Sequence, residues 1–222
     1  MSEPPSYIVS DLHLGNAYFH GDAFLAWLDS LPEEARLVLN GDTLDEPGRS
    51  LPAEHAQVLD RLVAESARRP VVWVYGNHDD DLDLPDTGQM EFTRRWELDR
   101  RLLVLHGDEL DGVMPRHGLF KAAFKLFHKA RIAVGFPDVH VAHYAKKWQY
   151  LYRVLNQHVA RRAARTARGM GFAAVACGHT HAAMDMVVDG TRYINTGAWT
   201  ETPQHYARAD GEGIELCTVP QG

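Results

Sequence analysis

Asp11 and His13 stand two residues apart in the string SDLHLG (residues 10–15), directly after an apolar run at residues 7–9. Burying either side chain without a partner is costly. In an extended segment residues i and i+2 share a side, so both are expected to aim at one point. A divalent cation at that point would satisfy them. Four more strings have the same character: NGDTLD with Asp42, GNHDD with Asn77, His78 and Asp79, HGDELD with His106, and CGHTH with His179 and His181. Singly, each has a plain explanation as a turn, a helix N-cap or a satisfied core histidine. Together, each at the end of an apolar run, they point to one site. The donors are carboxylate, imidazole and one amide, with no cysteine. That set suits Mn²⁺, Fe²⁺, Zn²⁺ or Co²⁺ rather than a structural cysteine–zinc site. Asp11, His13, Asp42, Asn77, His106, His179 and His181 are too many ligands for one ion, and suit two ions that share a bridging carboxylate.

The chain that must position these residues has 222 residues and is 45% hydrophobic, enough for a real core in one domain. Short apolar runs at 7–10, 36–40, 71–75, 102–106 and 172–177 read as strands, and 22–30 and 52–69 read as helices. Strands alternating with helices imply an α/β sheet, and in such sheets ligands bind beyond the carboxyl ends of the strands. After residue 183 the texture changes to hairpins, with Asp189-Gly190 as a turn. The second half is therefore expected to be antiparallel. The expected architecture is a two-sheet β-sandwich flanked by helices, one domain over residues 1–222.

Charge divides the chain unevenly. The net charge of −7 argues against nucleic-acid binding by the whole chain. Yet residues 116–168 carry 12 Lys or Arg and one acid, Asp138. Phe120, Phe124 and Phe127 recur at helical spacing there, beside a row of Lys121, Lys125 and Lys129, and Trp148, Leu151, Tyr152 and Leu155 continue the pattern. The stretch reads as a helical cap inserted at about 116–168. Lys121, Lys125, Trp148 and Tyr152 are its candidate substrate contacts, and its basic rows, with Arg161, Arg162, Arg165 and Arg168, suit an anionic membrane surface. Basic residues among aromatics also suit single-stranded nucleic acid. No apolar run approaches the roughly 20 residues that span a bilayer. No basic-then-apolar leader precedes residue 11, so a cytoplasmic protein is expected, with Cys177 and Cys217 as buried reduced thiols.

The ordered strings Asp11-Leu-His13, Gly41-Asp42, Gly76-Asn77-His78-Asp79, His106-Gly107 and Gly178-His179-Thr180-His181 resemble the calcineurin-like metallophosphoesterase superfamily. The resemblance implies an αββα sandwich. It implies one metal held by Asp11, His13, Asp42 and His181, and a second held by Asp42, Asn77, His106 and His179. Within the superfamily, SDLHLG, HGDELD and YINTGAWTE resemble the UDP-2,3-diacylglucosamine diphosphatase branch. One position departs: that branch has arginine after the asparagine of GN, where this chain has His78. The implied activity is hydrolysis of a phosphate ester or diphosphate, such as a UDP-sugar lipid, by a hydroxide that two divalent metals activate, Mn²⁺ foremost. The alternative is another metallophosphoesterase acting on soluble diesters, nucleotides, phosphoproteins or nucleic acid. His78 is the candidate catalytic acid. Asp79 is expected to orient its ring, and Asp45, Asp108 and Asp111 read as outer residues rather than ligands. The string at 194–199 reads as a turn beside the site.

Overall fold

The computed structural model describes residues 4–79, 82–111 and 149–220. The strands that lead into the candidate site are buried on both faces, which is why they read as near-continuous apolar runs. Alternate side chains feed different cores. In β1 (Ser6–Val9), Ile8 faces one way, and Tyr7 and Val9 the other. The same split recurs in β2 (Arg36–Asn40), with Val38 against Leu37 and Leu39, and in β3 (Val71–Val74), with Val72 and Val74 against Val71 and Trp73. Helices α1 (Gly21–Asp29) and α2 (Ala53–Ser66) cover the outer face of this sheet with Phe24, Trp27, Leu28, Val58 and Leu62.

The remaining strands are β4 (Glu91–Thr93), β5 (Trp96–Leu98), β6 (Leu102–Val104), β7 (Ala174–Cys177), β8 (Met184–Val188), β9 (Thr191–Asn195), β10 (His205–Ala209) and β11 (Ile214–Thr218). One sheet runs β11-β10-β1-β2-β3-β4, the other β5-β6-β7-β9-β8. The inner faces meet through Ile8, Val38, Val72, Val104, Ala176 and Ile194. The two-sheet sandwich with helices outside is thus the fold. The Asp189-Gly190 turn closes the β8–β9 hairpin with both residues at positive φ, 49° and 82°, the geometry that a two-residue hairpin favours.

Two expectations are corrected. The second half is not antiparallel throughout: β6, β7 and β9 are mutually parallel. The chain leaves β7, crosses to the edge for β8 and returns between the two as β9, so the loop carrying His179 and His181 passes over the end of the sheet. The segment at 116–168 is also not wholly a cap. Within α3 (Gln149–Gly169), Ala160, Ala163, Ala164 and Ala167 are buried against Leu103, Val175, Cys177 and Tyr193. That half of the helix is the outer layer of the second sheet, and Arg161, Arg162, Arg165 and Arg168 lie on its exposed face. Lys121, Lys125 and Trp148 lie outside the described residues, as does the side chain of Tyr152. Cys177 is buried as expected, whereas Cys217 is only partly so. No helix among the described residues is long and apolar enough to cross a membrane.

The alanine stripe lets α3 lie close to the sheet. Ala164→Leu is expected to overpack that contact and cost about 1–3 kcal/mol, measured by urea unfolding. A neutral result would mean that the helix stands free of the sheet.

Candidate metal centre

The parallel strands β1, β2 and β3 deliver their carboxyl ends to one edge of the first sheet, and β6 and β7 do the same in the second. The ligand candidates sit in the loops just beyond. Asp11, His13, Asp42, His179 and His181 all have left-handed backbone, with φ of 54°, 53°, 51°, 64° and 55°. For residues other than glycine this costs roughly 1–2 kcal/mol each, and such strain gathers at functional sites. Asp11 and His13 therefore do not share a direction through strand pleat, since β1 ends at Val9. The positive φ of both residues accompanies their convergence, braced by Asp11 N–H to Gly41 O and His13 N–H to Asp42 O, each 3.0 Å.

The side chains converge in pairs. His13 Nε2 lies 3.2 Å from His181 Nε2, which lies 3.3 Å from Asp11 Oδ1. His106 Nε2 lies 3.3 Å from Asp42 Oδ2, and His179 Nδ1 lies 3.1 Å from Asn77 Oδ1. The sets Asp11/His13/His181, Asp11/Asp42/His106 and His13/Asp42/His78 each place ligand atoms within 4.8 Å of one another. The proton inventory tests whether a cation fits. His106 Nδ1–H donates to Asn40 O at 2.9 Å, so neutral His106 turns a lone pair toward a carboxylate. Its buried Nε2 has no hydrogen-bond partner. Lone pairs facing lone pairs in a buried space require a proton or a metal between them, and this donor set suits a divalent transition metal.

Glycines clear the approach. A Cβ on Gly76 would overlap the carboxylate and backbone of Asp42, and one on Gly178 would overlap the carboxylate of Asp11 and the side chain of Ser10. Behind the ligands a polar frame holds the loops. Asn40 Nδ2 spans the two sheets to Leu105 O at 3.2 Å. Ser10 Oγ meets Thr196 Oγ1 at 2.7 Å, and Asn195 Nδ2 donates to Gly178 O at 2.6 Å. The stretch at 194–199 is the end of β9 and the loop after it rather than a turn, and it braces the site from behind. Trp199 is packed against Phe24 and Trp27, and its backbone N–H donates to Asp11 O. His55, outside every motif, accepts from Gly15 N–H at 2.8 Å. Its only sequence signal was a histidine on the buried face of a helix.

Asp79 is not where it was expected. Its carboxylate is fully buried and accepts from Thr43 N–H, Leu44 N–H and Trp73 Nε1–H at 3.1–3.2 Å. It ties the Asp42 loop to the Asn77 loop and does not orient His78. The His78 ring instead donates from Nδ1 to the carbonyl of Asp45 at 2.6 Å, while its backbone N–H caps Asp42 Oδ1 at 2.8 Å. The physical reason is competition: three N–H groups converge on the Asp79 carboxylate. Asp45 Oδ1 lies 3.1 Å from His13 Nδ1, and Asp111 Oδ2 lies 3.1 Å from His179 Nε2.

Charge follows from this crowding. Burial opposes ionisation of Asp42, but the charge of His106 at 3.3 Å, with the charges of His78 and His13, holds its carboxyl far below the usual range. Asp11 is depressed in the same way, its burial outweighed by His181 and then His106. Burial opposes protonation of His106 and His181, yet Asp42 and Asp11 respectively raise both above the ordinary imidazole value. Asp79 is raised, first by burial and then by the charge of Asp42.

This fold and donor set define a metal-dependent phosphoester hydrolase. The chain belongs to the calcineurin-like phosphoesterase family, whose model matches residues 4–183. No curated protein matches it. Among solved structures it is similar to the E. coli phosphoesterase Yfce, at 16% identity over 97% of this chain and 100% of that one, with a TM-score of 0.47. It is similar to the Pseudomonas putida nuclease MPE, at 19% identity over 96% and 87% with a TM-score of 0.46. It is also similar to Vacuolar Protein Sorting 29 of Cryptosporidium parvum, at 11% identity over 98% and 97% with a TM-score of 0.49.

The raised imidazoles give the metal-free protein a defined pH response. Protons on His106 and His181 stabilise the fold fully below about pH 6.5, the unfolded value. That contribution is lost as pH rises through their higher folded values. Asp11 and Asp42 titrate only in acid and do not contribute to the change. The melting temperature of chelated protein should therefore fall as pH rises above 6.5. Metal must displace the same protons, so the stabilisation by added Mn²⁺ should grow over that window. Differential scanning fluorimetry with EDTA and with Mn²⁺ measures both, and a flat chelated profile would contradict the assignment.

Proposed function

We propose that the chain hydrolyses a phosphodiester or diphosphate using two divalent cations, with Mn²⁺ as the working metal. Asp11, His13, Asp42 and His181 would hold one ion, and Asp42, Asn77, His106 and His179 the other. The observation that carries this reading is the set of ligand-type atoms that approach one another to 3.1–3.3 Å, His13 with His181, His179 with Asn77 and His106 with Asp42. Bound there, the cations would supply Lewis-acid charge that acidifies a water and offsets charge on the phosphoryl oxygens.

The chain's own residues do the rest. Both oxygens of Asp42 are committed, Oδ1 to His78 N–H and Oδ2 toward His106, so Asp42 acts as a fixed negative bridge and not as a base. His78 is the one site imidazole with substantial exposure, its side chain being 30% exposed. Its Nδ1 proton is committed to the Asp45 carbonyl, which leaves Nε2 as the nitrogen that exchanges a proton with substrate. That placement suits delivery of a proton to the leaving oxygen.

For substrate we propose a UDP-sugar lipid of the UDP-2,3-diacylglucosamine kind. The support is the branch-like strings at 10–15, 106–111 and 193–201. The exposed basic face of α3, with Arg161, Arg162, Arg165 and Arg168, adds to it. Each basic residue near an anionic bilayer contributes on the order of 1 kcal/mol, which suits a peripheral position at a membrane surface. His78, in place of that branch's arginine, favours a second reading, hydrolysis of soluble phosphodiesters. A screen of the Mn²⁺-loaded protein separates the two. It would contain UDP-2,3-diacylglucosamine, a bis-aryl phosphodiester, an aryl monoester, cyclic nucleotides and single-stranded DNA. Preferred cleavage of the lipid diphosphate is expected, and turnover of the soluble diesters alone would establish the second reading.

Two variants test the residue roles. Asp42→Ala should lose most bound metal by elemental analysis. His78→Ala should keep its metal but lose roughly 10²–10⁴-fold in turnover, with a smaller loss on a nitrophenyl ester, whose leaving group needs no proton. Equal losses on good and poor leaving groups would assign His78 to charge stabilisation instead.

A further inference from the structure

We propose that Asp45 and Asp111 are positioning residues, one for each metal position, that select opposite tautomers of two ligand histidines. The inference rests on the two-ion reading above. A neutral imidazole offers one N–H and one lone pair, and the outer partner decides which nitrogen keeps the proton. An ionised carboxylate can only accept. Asp45 Oδ1, in ion-pair contact at 3.1 Å from His13 Nδ1, favours the proton there by its charge and leaves the Nε2 lone pair inward, toward His181 Nε2 at 3.2 Å. Asp111 Oδ2 at 3.1 Å from His179 Nε2 does the reverse, and the Nδ1 lone pair faces Asn77 Oδ1 at 3.1 Å.

The two carboxylates reach the site from different sheets. Asp45 follows β2, and Asp111 ends the 3-10 turn (Asp108–Leu110) after β6. His106 uses a backbone carbonyl for the same purpose; neither Nδ1 of His13 nor Nδ1 of His181 forms a hydrogen bond, so Asp45 holds His13 by an ion-pair contact. Among the described residues, these two carboxylates are thus the side chains through which ligand tautomers can be altered one position at a time. Asp45 holds His78 through its backbone oxygen, so replacing its side chain leaves that contact in place.

The test is Mn²⁺ titration by calorimetry with electron paramagnetic resonance of the bound ions, on the wild type, Asp45→Asn, Asp111→Asn and each change combined with Asn77→Ala. The wild type should take up two ions with an exchange-coupled spectrum. Each single variant should weaken one ion by roughly 10–100-fold and show an uncoupled six-line spectrum at limiting metal. Added to Asn77→Ala, which already weakens the second position, Asp111→Asn should change little, whereas Asp45→Asn should remove the remaining ion. Asp111→Glu, which restores an acceptor, should recover part of the loss seen in Asp111→Ala. Affinities within threefold of wild type, equal weakening of both ions by either variant, or a failure of the glutamate to recover any of the loss would overturn the proposal. A wild type that binds fewer than two ions would instead defeat the two-ion reading beneath it.

Discussion

Two carboxylates, Asp11 and Asp42, are almost wholly buried where the two sheets meet, and much of the local structure exists to make that burial tolerable. An unpaired buried charge would cost several kcal/mol. Here the Asp11 carboxylate accepts from His179 N–H, and Asp42 accepts from His78 N–H. Imidazoles from both sheets surround the pair. Protons can balance the charge in the metal-free protein, and divalent cations can do so more completely. Metal affinity and fold stability are therefore two expressions of the same electrostatic demand.

Meeting that demand strains the backbone, and the strain is borne by a rigid frame. Five ligand candidates in left-handed conformation sit directly after strands that are locked on both faces. The inner layer of Ile8, Val38, Val104 and Ala176 joins the sheets, so loops from opposite sheets are held at fixed separation. Asn40 reinforces this by a hydrogen bond across the sandwich. The aromatic cluster of Phe24, Trp27 and Trp199 supports the Asp11 loop from below, through a backbone bond as well as packing. Dense packing of this kind transmits little slack, which is what close ligand geometry requires.

The helical layers are unequal in character. α1 and α2 cover their sheet with large aromatic and aliphatic side chains, whereas α3 uses alanines and lies close to its sheet. The close fit leaves the arginines of α3 on the outside, so one flank of an acidic protein presents a basic face. The contrast arises from packing: small residues occupy the inner stripe, and the remaining positions are free to carry charge.

The strand runs and the five polar strings were legible in the sequence because each ligand loop directly follows a strand, so local order along the chain matched convergence in space. The hairpin turn at Asp189-Gly190 was legible for a similarly local reason. β4 and β5, at three residues each, were too short to show a period. The parallel pairing of β7 with β9 depends on a crossover that no local pattern records. Adjacency misled at Asp79, whose carboxylate is drawn to three N–H groups from β3 and the Asp42 loop rather than to the ring beside it. The sequence by itself determined which donor types the site contains and which strand ends carry them. Only the tertiary structure decided which ligand atoms face each other and which histidine nitrogen meets an outer partner, because those depend on groups that are near in space and distant along the chain.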